Sequence, residues 1–178
     1  RLFQGVRDDL ERLALGCYFA EVAELLAVEG VASSELLSLI LNSLHALDKM
    51  KEKPLALVKA AFELKAMCLS GYEPLLDGCA VCGRTPPEEP RFHLREGVVH
   101  CAACRGEMGE GISMPLNLHA LRAMEHIAYG DPKRLFSFSI GGEGLTKLAD
   151  LTEAYLHTQL ERGFQTLDFY KGIQTGGI

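Results

Sequence analysis

Cys79-x-x-Cys82 and Cys101-x-x-Cys104 are the residues of this chain whose type and spacing could do chemistry, and eighteen residues separate the two pairs. Cysteines at i and i+3 of a tight turn can place both sulfurs on one metal ion. A second such hook, brought back to the first, completes a tetrahedron, which is the spacing of a four-cysteine zinc ribbon. Four thiolates fill the zinc shell and leave no position for water or substrate. The expected ion is therefore a structural Zn²⁺ held by Cys79, Cys82, Cys101 and Cys104. The competing reading is a pair of redox CxxC centres or disulfides. A thioredoxin-like centre, however, opens a helix after a strand with one CxxC, and neither pair here follows a strong strand. His93 and His100 lie between the hooks and read as solvated hairpin residues, because four sulfurs suffice.

The hooks can meet only if the chain between them reverses. Arg91-Phe-His-Leu-Arg95 and Val98-Val-His100 read as two short strands around a Glu96-Gly97 turn. Gly83 directly follows the first hook, where a left-handed residue costs little. Before this segment, Val6, Leu10, Leu13, Cys17, Val22, Leu25 and Leu26 recur mostly at helical steps, and Gly30 is expected to cap that helix. Ser33 or Ser34 caps the next helix, which carries Leu36, Leu37, Ile40, Leu41, Leu44 and Leu47. After the polar link Lys49–Lys53, Pro54 opens a third helix with Leu55, Val58, Phe62 and Leu69, closed by Gly71. Beyond the hooks, Gly106, Gly109 and Gly111 read as a flexible exit. Pro115 is expected to start a helix that ends at Gly130, and a last helix runs from about Glu143 to Arg162. Phe136–Ile140 alternates but is too short to assign. The expected fold is mainly α: a helical bundle with an inserted zinc-ribbon-like hairpin carrying the four cysteines. Its expected segments are 1–71, a first bundle part; 72–108, the zinc-binding hairpin; and 109–178, a second helical part packing back on the bundle.

With 178 residues, nearly half of them hydrophobic, the chain can bury a real core. No run of eighteen apolar residues and no signal-peptide pattern are present, and the chain opens at Arg1-Leu2-Phe3 without an initiator Met, as a fragment would. Six cysteines without a secretory signal point to a reducing compartment, the cytoplasm, with Cys17 and Cys68 as small buried hydrophobes. The formal net charge is −6, and a zinc ion on four thiolates makes the chain more negative still. That balance argues against a broad, independent nucleic-acid surface but permits a local one. Arg84, Arg91, Arg95 and Arg105, all in or beside the hairpin, are the candidate nucleic-acid contacts; the alternative is ordinary solvated charge.

No catalytic motif is present: no phosphate loop, no nucleophile elbow, no HExxH. His119 and His126 are seven residues apart and share a helix face near Glu125. A two-histidine metal site is the sharp reading of that face, a solvated face the bland one, and an i,i+4 pair would be the better geometry. The expected protein is not an enzyme. It is a binding or scaffold protein, with a zinc-ribbon-bearing redox or enzyme accessory domain as the alternative.

The order of these features resembles a known family. Three helices, then Gly71-Tyr-Glu-Pro-Leu-Leu-Asp-Gly-Cys-Ala-Val-Cys-Gly83, a hairpin and Cys101-Ala-Ala-Cys-Arg105, are similar to the C-terminal region of the bacterial RecO family, recombination mediators of the RecF pathway. Arg7–Leu15, Tyr155–Leu160 and Phe164–Phe169 extend the resemblance over nearly all of the chain. It implies DNA repair and recombination after DNA damage, by strand annealing and assistance to RecA loading, in the cytoplasm at the nucleoid. Its implied partners are RecR, DNA, and the acidic tail of single-stranded-DNA-binding protein, which ends in an apolar residue and a carboxylate. It also implies an N-terminal oligonucleotide-binding barrel that this chain lacks. A receptor for such a tail needs an apolar pocket rimmed by cations. Lys59, Phe62 and Lys65 follow one another at three-residue steps and are the expected partner-binding residues, against the alternative of a core helix with snorkelling lysines.

Overall fold

The computed structural model describes residues 2–176. A one-turn helix α1 (Gln4–Arg7) precedes α2 (Leu10–Leu26), α3 (Ser34–Lys49) and α4 (Leu55–Leu69). Asp9 separates α1 from α2: its side chain accepts from the Arg12 amide at 3.0 Å and restarts the helix as an N-cap. Ser33 caps α3 in the same way, accepting from the Leu36 amide at 3.2 Å. Two expectations are corrected here. α2 ends at Leu26, so Gly30 lies in the connection and not at the cap. Pro54 is the N-cap of α4 rather than a first-turn residue.

Three short strands follow: β1 (Arg91–His93), β2 (Val98–His100) and β3 (Ser113–Pro115), in the order β2-β1-β3 with both pairs antiparallel. The third strand is absent from the sequence expectations. Pro115 belongs to it, pairing with Arg91. The next helix, α5 (Leu118–Tyr129), starts only where Asn117 accepts from the Ala120 amide at 2.9 Å. Residues 136–140 form no strand. α6 (Gly142–Leu160) and α7 (Gln165–Gln174) complete the fold. The architecture is mainly helical with the hairpin inserted, as expected. No helix among the described residues is long and apolar enough to cross a membrane.

One cluster of buried apolar side chains joins the bundle to the hairpin. Phe19 stacks on Phe62 at 4.1 Å between ring centroids, Tyr18 meets Phe164 edge-on at 5.6 Å, and Phe92 of β1 meets Tyr155 of α6 edge-on at 5.1 Å. The hairpin is also clamped by polar contacts from the helices. Gln159 donates to the carbonyls of Leu94 (2.8 Å) and Arg95 (3.1 Å), and Tyr155 donates to the Tyr72 carbonyl at 2.9 Å. Tyr129 of α5 donates to the Pro74 carbonyl and accepts from the Leu76 amide. At the hairpin turn Gly97 has φ 66°, and a Cβ there would lie 2.7 Å from the Tyr155 hydroxyl. A side chain would therefore strain the turn and push the hairpin off α6.

A buried charge network crosses the bundle. Lys59 of α4 sits between Glu63 (2.7 Å) and Glu153 of α6 (2.6 Å). Glu63 accepts from the hydroxyls of Tyr18 (2.9 Å) and Thr152 (2.8 Å), and Lys171 of α7 pairs with Glu153. Burial works against the charged form of Glu153, but Lys59 and Lys171 outweigh it and hold its carboxyl below the ordinary 4.5. Asp48 is held below 3.8 by the Lys49 ammonium, against its partial desolvation and with the help of the Gly5 amide. Both lowered groups contribute stability that is complete above the unfolded values and is lost as pH falls through the folded ones. Glu63, raised chiefly by burial, has the opposite sign. We predict that the melting temperature falls between about pH 4.5 and pH 3, and that Glu153→Gln removes part of that fall. A melting temperature that stays level in this range would contradict the assignment.

Candidate metal centre

The first hook is a tight turn in which the Gly83 amide donates to the Cys79 carbonyl and the Cys79 amide to the Arg84 carbonyl, both at 2.9 Å. The Ala80 amide donates to Val99 at 2.9 Å, fastening this turn to β2. The second hook leaves β2 directly and enters a 3-10 helix, Ala102–Glu107, through a Cys104-to-Cys101 backbone bond of 3.0 Å. The hairpin thus delivers the two pairs to one place. The four sulfurs lie within 4.8 Å of one another, with Cys82 and Cys101 at 3.8 Å. A tetrahedron with zinc–sulfur bonds of about 2.3 Å has edges of about 3.8 Å, so the four cysteines could hold one metal ion.

Their surroundings favour a thiolate at Cys79. The Cys79 sulfur accepts from the amides of Cys101 (3.3 Å) and Cys82 (3.5 Å), and the Cys101 sulfur from that of Glu88 (3.2 Å). Burial opposes the Cys79 thiolate, but these amides outweigh it and bring the thiol down to about 6. Burial and the neighbouring sulfurs act the other way on Cys101, which is raised, and on Cys104, which is pushed up to about 12. One thiolate among four sulfurs resists a second unless a cation sits between them. The donor set therefore suits a divalent soft-ligand ion, and four sulfurs close its shell. Cys79 and Cys101 are buried while Cys82 is exposed and Cys104 half-buried, which places the cluster at the edge of the fold.

The histidines differ from expectation. His93 and His100 are fully buried and stand away from the sulfur cluster as hydrogen-bonding struts, because each ring finds partners on both nitrogens. The Glu96 amide donates to His93 Nδ1 at 3.2 Å, so Nε2 carries the proton toward the Gly109 carbonyl at 3.3 Å. His100 Nδ1 faces the Cys101 carbonyl at 2.8 Å and Nε2 the Ser113 hydroxyl at 2.8 Å. Burial chiefly lowers the His100 pKa, keeping the ring neutral. The glycine-rich exit is correspondingly structured: Gly109 and Gly111 supply carbonyls to His93 and Arg105.

The four arginines do not form a free basic face. Arg84 pairs with Glu88, Arg91 donates to the Ser113 carbonyl, and Arg105 donates to Gly109 and Gly111. Arg95 is exposed, and its guanidinium has no partner among the described residues. The expected Lys59–Phe62–Lys65 face is also corrected. Lys59 is 5% exposed within its carboxylate network and Phe62 is fully buried against Phe19. Both belong to the core because α4 is surrounded by α2, α3, α5 and α6. Lys65 alone reaches a surface cleft of about 400 Å³, with Leu39, Leu69, Leu135 and Lys133. Cys17 is exposed rather than buried, and Cys68 is half-buried with its thiol pushed up to about 11 by desolvation. His119 and His126 gather no third ligand among the described residues, where the four cysteines are the one such cluster; His126 Nε2 instead contacts the Arg134 carbonyl at 2.9 Å.

The sequence profile of the family described as recombination protein O, C terminal, matches residues 7–168. The DNA repair protein RecO of Acetivibrio thermocellus is 30% identical over 171 residues, covering 96% of this chain and 67% of that protein. The RecO protein of Symbiobacterium thermophilum is 31% identical, with 97% and 68% covered, and that of Alkaliphilus metalliredigens is 28% identical, with 97% and 69% covered. With the match spanning the helices and the four-cysteine hairpin together, the chain belongs to the RecO family and constitutes its C-terminal region.

Proposed function

We propose that this chain is the non-enzymatic, partner-binding part of a DNA repair and recombination mediator of the RecF pathway. It binds RecR and the acidic tail of single-stranded-DNA-binding protein, and so assists strand annealing and RecA loading. The family match over residues 7–168 carries this reading. Cys79, Cys82, Cys101 and Cys104 hold a structural Zn²⁺ that fixes the hairpin on α5 and α6. Zinc supplies no reaction step here; it supplies the charge that lets four thiolates share one site.

The tail site moves from the buried face of α4 to the cleft between α3, α4 and residues 132–135. Leu39, Leu69 and Leu135 give it apolar walls, and Lys65 and Lys133 stand at its rim. An apolar terminal side chain suits the walls, and its carboxylate and neighbouring acidic residues suit the lysines. Titration of a labelled acidic peptide ending in an apolar residue tests this. Lys65→Glu with Lys133→Glu is expected to weaken binding at least about tenfold, with unchanged circular dichroism, because two attractive contacts become repulsive. Unchanged affinity removes this cleft as the tail site.

A further inference from the structure

A second cleft lies between α5 and residues 138–141. It has a volume of about 420 Å³ and is lined by His119, Arg122, His126, Phe138, Ser139 and Gly141, among others. In a chain of net charge −6, its lining holds no carboxylate. His119, Arg122 and His126 fall at steps of three and four along α5, so they share one face. Arg122 is exposed, and its guanidinium has no hydrogen-bond or ion-pair partner among the described residues. Arg122 stands between this cleft and a neighbouring crevice that it lines together with Glu125, Leu76 and Leu118. Lys53 adds positive charge behind the cleft wall, where its ammonium donates to the Phe138 carbonyl at 2.8 Å.

The aromatic wall is held in place. The Arg134 carbonyl only accepts, so His126 Nε2 carries the proton at that 2.9 Å contact. The imidazole is thereby fixed against the half-buried Phe138 ring, 5.2 Å between centroids and 53° between planes. A guanidinium beside a fixed ring is the pairing that recognises phosphate and base together. An acidic peptide would be met by Arg122, but its apolar terminal residue is better served by the leucine walls of the first cleft.

We propose that this cleft takes one nucleotide of a single-stranded nucleic acid, its phosphate on Arg122 and His119 and its base against Phe138. This deepens the DNA-repair reading and rests on it. It also assigns the nucleic-acid contact to α5 instead of the hairpin arginines, three of which are engaged within their own segment. One such contact on an acidic chain gives weak, salt-sensitive binding.

The test is the fluorescence anisotropy of a short labelled oligothymidylate with the chain at about 50 mM salt. Arg122→Glu is expected to weaken binding at least about tenfold, and Phe138→Leu, which keeps the volume and removes the ring, by roughly 5- to 100-fold. Arg122→Ala should lower the salt slope by about one. Circular dichroism melts confirm that each variant folds. Binding that survives Arg122→Glu but falls with Arg84→Glu or Arg95→Glu overturns the cleft and leaves the repair reading intact. Failure of the unaltered chain to bind any single strand also overturns the inference, while the peptide titration at Lys65 and Lys133 tests the repair reading separately. Arg122-dependent capture of the acidic peptide, without capture of the oligonucleotide, makes the cleft a peptide site and overturns the proposal.

Discussion

Cys79→Ser and Cys101→Ser will each unfold the hairpin at temperatures where the unaltered chain is folded. Serine keeps the shape of the side chain but ligates zinc poorly, and three sulfurs leave the ion's shell open. Binding free energy at a structural zinc site becomes folding free energy, about 10–16 kcal/mol in small peptides. Here Phe92, Val99 and the contacts of Tyr155 and Gln159 also hold the hairpin, so part of the fold persists without metal. A loss of several kcal/mol remains, which at roughly 2–4 °C per kcal/mol lowers the melting temperature by more than about 10 °C. Cys82→Ser should cost less than Cys79→Ser, because Cys82 is exposed and its sulfur is surrounded by fewer amide donors. Thermal melts with and without a chelator check this. A chelator that leaves the melt of the unaltered chain unmoved would contradict it.

Lys59→Met will be nearly as damaging, although Lys59 is buried in the core and lines neither cleft. It removes the cation between two carboxylates and leaves Glu63, fully buried, supported only by the Tyr18 and Thr152 hydroxyls. Breaking a buried pair from one side costs about 3–5 kcal/mol, whereas replacing both partners with groups of similar shape is often close to neutral. The double variant Lys59→Met with Glu63→Gln should therefore recover most of the loss, since the buried negative charge disappears with its partner. Denaturant melts of the two single variants and the double variant measure this coupling. Strict additivity would show that the network does not act as a unit.

Lys59 also shows where the sequence stops being legible. Lys59, Phe62 and Lys65 sit at regular steps, and local spacing cannot tell a cationic rim from a lysine neutralised by Glu153, ninety-four residues away. That partner exists only after α6 packs against α4. The four cysteines are legible because short hooks fix their own local geometry, and the hairpin between them has strand residues and a turn glycine. β3 is not legible: Ser113–Pro115 is too short to carry a pattern, and it pairs because β1 offers an open edge. His93 and His100 look like solvated hairpin residues in the sequence because their partners, the Gly109 carbonyl that accepts from His93 and the Ser113 hydroxyl that donates to His100, arrive with the glycine-rich return of the chain. The α5 cleft leaves a partial signal in the three- and four-residue spacing of His119, Arg122 and His126; its second wall, Phe138–Gly141, comes from a segment without secondary structure.

In the proposed reading the two clefts and the cysteine cluster divide the labour along the chain. Lys65 and Lys133 border a cleft suited to a peptide terminus, Arg122 and Phe138 one suited to a nucleotide, and the hairpin rests on α5, which carries the second cleft. A metal held by the four cysteines would matter to the proposed binding indirectly, by keeping the hairpin seated beside that helix.

The central claim is that the four cysteines hold one structural zinc ion. Elemental analysis of the purified chain, with thiol titration before and after chelation, tests it most directly. The expected result is about one zinc per chain, four thiols that become reactive only once the metal is removed, and loss of the zinc in Cys79→Ser. A metal-free folded chain whose Cys79 cycles between thiol and disulfide would contradict it.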